Sequence, residues 1–354
     1  MKYKLGITAG DPAGIGAEVT LKALNNSDIY DHCIPIVLGD KTVIEETLDM
    51  AGLNLKPHCI NSPEEALGEY GTVDLLDMQL LGKRKGEDSE HFWDYGKISV
   101  SAGEAAFRYV EKAVALALEK SIAGIVTAPI NKEAINLAGH HYAGHTEILS
   151  HLTGTRDYAM ILISDKLRVI HVTSHVSLRA AADLVTKERV LTVIRLARQG
   201  LKLLGCGSRG SRVHREPRIA VAGFNPHASE GGLFGDEEMR AIIPAVEAAK
   251  AEGIDVSGPL PPDTVFVKAV HGQYDAVVAM YHDQGHIPLK LLSFKLDSEN
   301  QLSMVRGINC TLGLPIIRTS VDHGTAFDKA GKNCSSEQSM IEAIEAACIM
   351  VNHQ

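Results

Sequence analysis

Short apolar runs punctuate the chain, and between them apolar positions recur at helical spacing, the alternation that predicts an α/β protein. The runs that predict strands are 3–8 (YKLGIT), 34–38 (IPIVL), 122–127 (IAGIVT), 159–163 (AMILI), 167–173 (LRVIHVT), 218–223 (RIAVAG) and 275–280 (DAVVAM). The stretch 101–120 predicts a helix rich in Ala, Leu, Glu and Lys, with Ser101 and Glu104 spaced as a capping box. Residues 186–204 and 236–252 predict two more helices, and 205–217 (GCGSRGSRVHREP) reads as a solvated connector. No internal repeat, low-complexity tract or composition break divides the chain.

Three of these strands lead into histidines. In open α/β sheets the ligand crevice lies outside the carboxyl ends of the strands. Strand 167–173 runs into His175, strand 218–223 into FNPH and His227, and strand 275–280 into Tyr281 and His282. If the three are parallel neighbours, each delivers one imidazole to a common rim, and three protein ligands with an open position make a catalytic divalent-metal site. The alternative for each is an ordinary loop histidine satisfied by hydrogen bonds. His171, within a strand, reads as buried, and His286 as a residue outside the trio. The segment MYHDQGHIPLK (280–290) also contains an HxxxH spacing, which chelates zinc when it lies on a helix. Gly285 inside it and Pro288 after it predict that no unbroken helix forms there, so chelation by His282 and His286 is not expected.

Other polar residues stand at strand ends or in Gly/Pro-rich sequence. Asp263 (GPLPPDTVF) and Asp283 are candidates for a general base or for orienting a metal-bound imidazole. For Asp263 the competing role is a turn or helix cap. Arg318 follows LGLPII, where its charge needs a carboxylate or phosphate partner, and Lys290 is a second cation in apolar surroundings. Gly144-His145-Thr146-Glu147 opens a helix whose first amides favour an anion, unless Thr146 is simply the N-cap.

Two glycine loops bear on a cofactor. TAGDPAGIGAEV (8–19) joins a strand to a helix, but its glycines at 10, 14 and 16 do not follow the dinucleotide-fold spacing, and it reads better as a tight active-site or subunit-contact loop. SVDHGTAFDKAGK (320–332) offers backbone amides and a histidine between two helical regions.

Composition narrows the class. At 354 residues, with 45% hydrophobic and 22% charged residues, the chain has the make-up of a globular protein with a large core. A net charge of -9 excludes a general nucleic-acid binder, and no apolar run reaches membrane-spanning length. The N-terminal segment is too short for a secretory signal, and six cysteines without a CxxC pair fit reduced thiols in a cytoplasm.

The motifs GDPAGIG (10–16), GHTE (144–147), NPHASE (225–230), PPDTVF (261–266), YHDQGH (281–286) and LGLPIIRTSVDHGTA (312–326) come in an order that spans essentially the whole chain. In this the sequence resembles the 4-hydroxythreonine-4-phosphate dehydrogenase family, which includes a subgroup acting on D-threonate and D-erythronate 4-phosphates. The resemblance implies a two-lobed α/β/α fold like that of the isocitrate and isopropylmalate dehydrogenases, with an active-site cleft between lobes and at a homodimer interface. The first lobe would be 1–140 with 310–354, the second 141–309. It also implies that His175, His227 and His282 bind one divalent metal ion (Zn, Co, Mn or Mg). His145, Thr146, Lys290, Asn309 and Arg318 would bind substrate, and Asp263 and Asp283 would lie near the metal. Lys290, Asp263 and Asp283 share the proton-handling role without a ranking, and Asp322, His323, Gly324, Thr325 and Ala326 would contact NAD. A long connector between Lys290 and Asn309, and His286 in QGHIPLK, look more like the threonate subgroup.

The implied reaction is oxidation of the C3 hydroxyl of a small phosphorylated acid, followed by decarboxylation to dihydroxyacetone phosphate and CO2. The alternative is the 4-hydroxythreonine-4-phosphate dehydrogenase step of pyridoxal phosphate (vitamin B6) biosynthesis. A metal-dependent hydrolase, or a non-catalytic binding protein for phosphorylated acids, remains as a reading from another class.

Overall fold

The computed structural model describes residues 2–82, 93–207, 215–296, 302–304 and 307–354. Most of the 205–217 connector, and part of the stretch between Lys290 and Asn309, lie outside the described residues. The strands in chain order are β1 (Tyr3–Thr8), β2 (Cys33–Gly39), β3 (Lys56–Ile60), β4 (Thr72–Asp77), β5 (Gly124–Thr127), β6 (Ala159–Ile163) and β7 (Arg168–His171). They continue with β8 (Ile219–Ala222), β9 (Val256–Leu260), β10 (Ala276–Ala279), β11 (Phe294–Leu296), β12 (Leu302–Met304), β13 (Ile308–Leu312) and β14 (Ile317–Val321). Each of the seven apolar runs singled out above is a strand.

The chain packs as two units, residues 1–156 with 314–351 and residues 157–313 with 352–354. The expectation was a break at 140; His145 and Thr146 belong instead to the first unit.

In the first unit the strand order is β3-β4-β2-β1-β5-β14, and every pairing in it is parallel. Strands buried on both faces need continuous apolar sequence, and β1, β2 and β5 supply it. β14 (IRTSV) does not, although all five of its residues are buried. Its polar side chains are satisfied from neighbours: the Thr319 hydroxyl donates to the Ala343 carbonyl and the Ser320 hydroxyl to that of Thr127. The GDPAGIG loop, expected to be a tight active-site or subunit-contact loop, is buried within this unit. Gly10 sits at φ 74°, and a Cβ there would overlap the Pro129 carbonyl oxygen, so only glycine admits the approach.

In the second unit the order is β13-β6-β7-β10-β8-β9. β6 runs antiparallel to both neighbours, and β7, β10, β8 and β9 are parallel. Val169, Ala220, Val277, Val265, Phe266 and Leu289 pack into one buried cluster that joins this sheet to the helices Pro262–Val270 and His282–Ser293. Each large apolar side chain so buried contributes about 1.5–3 kcal/mol.

Two helix expectations change. The helix Val100–Leu118 is capped by Ser99, whose hydroxyl accepts from the Ala102 amide, and not by Ser101. Residues 282–293 form one helix through Gly285 and Pro288, where a break was expected. Tertiary contacts override local propensity there. Gln284, at 8% exposure, accepts from the Met280 amide (2.7 Å) and donates to the Gly223 carbonyl (2.7 Å), fastening the helix start to β10 and β8. Gly285 lets the helix touch β7, since a Cβ at that position would overlap His171 Nε2 and lie 2.5 Å from Val169 Cγ1. Among the described residues no helix is long and apolar enough to cross a membrane.

Candidate active site

β7, β10 and β8 are parallel neighbours, so the segments leaving their carboxyl ends share one rim of the second unit. His175 and His282 meet there, with ring centroids 5.8 Å apart. The loop of His175 is tied to that of His282, because the Thr173 hydroxyl donates to the Met280 carbonyl at 2.8 Å. A cleft of about 480 Å³ opens beside the pair, lined also by Ser174, Ser177, Tyr281 and Asp283. His282 Nδ1 lies 2.6 Å from Asp283 Oδ1, so of its two ring nitrogens Nε2 is the one available to a ligand. A carboxylate behind an imidazole is the usual arrangement around a metal-bound histidine.

His227 follows β8 on a different kind of backbone. Residues 227–230 are all left-handed, with φ of 54°, 55°, 66° and 45°, ahead of Gly231 and Gly232. Holding L-residues there costs on the order of 1 kcal/mol each. The anchor is Glu238, at 1% exposure, whose Oε1 accepts from the Phe224 and Asn225 amides (2.7 and 2.8 Å) and whose Oε2 accepts from Asn225 Nδ2 (2.9 Å). The Ser229 hydroxyl donates to the Gly235 carbonyl and closes the turn. The nearest ring to His227 is that of Phe234, at 6.3 Å.

A divalent metal can be tested against these residues. With a metal–nitrogen bond of about 2.0–2.1 Å, two imidazoles on one tetrahedral ion have centroids about 5–6 Å apart. The His175–His282 pair meets that distance and brings the right donor chemistry. Among the described residues, no three His, Cys, Asp or Glu side chains of one chain come together as a metal-binding group. The stacked pair does not qualify. His282 and His286 stack at 3.7 Å with 13° between planes, and parallel rings cannot aim their in-plane lone pairs at one ion. The HxxxH segment is helical after all, yet it is no chelate.

His171, at 3% exposure in β7, lies 4.7 Å from the His286 ring. Burial pushes its pKa down to about 3, helped by the neighbouring imidazoles of His286 and His282. It is a neutral plate under the cluster. Asp263 is exposed in the first turn of the helix Pro262–Val270, the place of a helix-dipole residue. Lys290 is in the last turn of its helix, 4.9 Å from the Phe294 ring centroid, and Asn309 is half-buried in β13 opposite Leu162.

The first unit holds a second group of candidate site residues. Arg318, at 2% exposure in β14, donates from Nε and Nη2 to Thr127 Oγ1 at 3.2 and 2.7 Å. Thr127 is neutral, so this contact positions the guanidinium without cancelling its charge. His145 opens the helix His145–Thr153, and Gly144, not Thr146, is its N-cap. Burial and the Arg318 charge hold the His145 imidazole well below its ordinary pKa, and its Nε2 is buried without a hydrogen-bond partner. A neutral imidazole with an unsatisfied buried nitrogen beside a buried cation is suited to an anionic oxygen.

The 322–326 loop follows β14 and docks on the GDPAGIG loop: the Ile15 amide donates to the Thr325 carbonyl at 3.1 Å, and Gly14 packs against Thr325. His323 Nδ1 lies 3.0 Å from the Gly324 carbonyl oxygen. Nothing stands within 4 Å of where a Gly324 Cβ would be, so the loop is held at one end and open at the other. That form fits a nucleotide edge laid against backbone. Next to it Asp11 is fully buried, with Oδ1 accepting from the Ala13 amide at 2.8 Å and Oδ2 unpartnered. Burial raises its carboxyl to about 6 against the opposing pull of the Ala13 and Asn131 amides.

Sequence reasoning missed Thr127, Gln284, Glu238 and Asp11. Thr127 ends a predicted strand and was open to the rule that found the histidines; Gln284 and Glu238 act through distant partners that no local pattern reveals.

The family model described as "Pyridoxal phosphate biosynthetic protein PdxA" matches residues 31–347. D-threonate 4-phosphate dehydrogenase of Cupriavidus necator is 47% identical over 341 residues, covering 96% of this chain and 95% of that protein. The Pectobacterium atrosepticum protein of the same name is 46% identical over 351 residues, covering 98% and 99%. Among solved structures, a 4-hydroxythreonine-4-phosphate dehydrogenase from Klebsiella pneumoniae superposes with a TM-score of 0.82 at 45% identity, over 99% of this chain and 100% of that one. With a family model over most of its length and relatives of this identity and coverage, this chain belongs to the PdxA family.

Proposed function

We propose that this chain is an NAD-dependent dehydrogenase that oxidises the C3 hydroxyl of D-threonate 4-phosphate, or D-erythronate 4-phosphate, with decarboxylation to dihydroxyacetone phosphate and CO2. The observation that carries the reading is the His175–His282 pair backed by Asp283, on a chain 47% identical to a protein of that name. His175 and His282, with His227 as third ligand, would hold the metal; Asp322, His323, Gly324, Thr325 and Ala326 would line the NAD edge. When bound, the cation supplies Lewis acidity to the alcohol and then to the ketone next to the leaving carboxylate, and NAD supplies the hydride acceptor. The protein's own work is placement. Arg318, His145 and Thr146 take the phosphorylated, anionic end, with Lys290 and Asn309 as further substrate contacts. Lys290, Asp263 and Asp283 are the groups able to move the hydroxyl proton; both aspartates are exposed, and Lys290 is the half-buried one of the three. A homodimer is the working assembly; Ile287 and Leu291, one turn apart and 58% and 77% exposed, give it an apolar face to bury.

The test is reduced-nicotinamide absorbance with D-threonate, D-erythronate and 4-hydroxythreonine 4-phosphates side by side, with and without chelator. Fastest turnover on D-threonate 4-phosphate, abolished by chelation and restored by metal, supports the reading. Equal rates on all three defeat the substrate assignment, and turnover indifferent to chelation defeats the metal. A preference for 4-hydroxythreonine 4-phosphate would establish the second reading, favoured by the Klebsiella pneumoniae structure of that activity.

A further inference from the structure

His286 has no part in the reaction above, yet it makes the tightest ring contact in the histidine cluster. Its ring lies 3.7 Å from that of His282, 13° from parallel, and its Nδ1 is 3.0 Å from the His282 carbonyl oxygen one turn back. On another side it meets the buried His171 ring at 4.7 Å, and Gly285 presses the helix onto β7 at that point. His286 therefore stands on a fixed floor.

His282 is at the first position of its helix, with 38% of its side chain exposed, where the terminal torsion of an imidazole is broad and roughly two-fold. Asp283 contacts it in the ring plane, which leaves rotation out of that plane to be limited by something flat against its face. His286 is that surface.

We propose that His286 is a positioning residue for His282, holding its imidazole by face-to-face stacking so that Nε2 is aimed at the cation before the cation arrives. The inference rests on the assignment of His282 as a metal ligand in the proposed function. It predicts that removing the flat surface weakens metal binding although no ligand is lost, and that another flat ring restores it. Loss of such an outer partner typically lowers metal affinity about 10–100-fold.

The experiment is a cobalt(II) titration of the full chain followed by visible absorption, with zinc affinity measured by equilibrium dialysis. The variants are His282→Ala, His286→Leu and His286→Phe. Support is a wild-type cobalt spectrum lost in His282→Ala, at least about tenfold weaker binding with an altered spectrum in His286→Leu, and recovery of both in His286→Phe. If Leu lowers the melting temperature, His286→Gln, which reaches toward the carbonyl without an aromatic face, takes its place. Wild-type affinity in His286→Leu or His286→Gln overturns the positioning role while leaving the ligand assignment intact. So does equal loss in His286→Phe, since stacking is then not the means. Undiminished binding in His282→Ala sinks the ligand assignment itself, and the positioning role with it.

Discussion

Gly285→Ala sets two effects of opposite sign against each other. In a helix interior the change from glycine to alanine gains about 1 kcal/mol through backbone entropy. Here the new methyl would overlap His171 Nε2, lie 2.5 Å from Val169 Cγ1 and stand 3.1 Å from His171 Cδ2. Neither neighbour is a free end. Both belong to β7, which is paired on both sides, and His171 and Val169 are 3% and 0% exposed. Overpacking of this kind costs typically about 1–3 kcal/mol, and two overlaps at a rigid strand belong in the upper half of that range. The net expectation is destabilisation by about 1–2 kcal/mol, read as a lower urea midpoint with an unchanged slope. Turnover should fall further than stability, because relief requires the helix to lift off β7 and carry His282 away from His175. The double variant Gly285→Ala with Val169→Ala removes one overlap and should recover part of the loss, a non-additivity expected only for residues in contact. A Gly285→Ala protein as stable as wild type, or more so, would show that the helix does not rest on β7 and would refute the account of the cluster's geometry.

Other expectations follow from single residues. Asp11→Asn should stabilise the protein at neutral pH: the folded carboxyl titrates at about 6 against 3.8 for the free group, so ionising it in place costs about 3 kcal/mol. Because the folded pKa is the raised one, wild-type stability falls between pH 3.8 and 6 relative to the variant. The gap in urea midpoints should open across that window and stay level above it, and a gap independent of pH would contradict the burial of a chargeable Asp11. Arg318→Lys loses the two-pronged donation to Thr127, and at about 1.5–3 kcal/mol for a charged hydrogen bond kcat/KM should drop about 10–100-fold, whereas an unchanged KM for the phosphorylated acid would place the anion elsewhere. Glu238→Gln puts an amide where three N–H groups now converge; the left-handed turn at 227–230 should loosen, seen as new protease cleavage within 224–235 together with loss of turnover.

Local sequence determined a large part of this protein. Each predicted strand formed because a run of apolar residues has only one economical use in an α/β layer, and the period of two or 3.6 is set within a few residues. His175, His227 and His282 could be placed at strand ends for the same reason. What lay beyond local reading depended on partners far away in the chain. β14 is a strand although it is rich in polar residues, because Thr127 and Ala343 satisfy them. The helix through Gly285 and Pro288 exists because β7 accepts the glycine face and Gln284 ties its start to Met280 and Gly223. Whether His286 chelates with His282 or stacks on it is a matter of ring planes, and the spacing HxxxH is identical in both cases. Spacing along a chain specifies which residues are neighbours on an element; the direction of a lone pair is decided only by what packs against the ring.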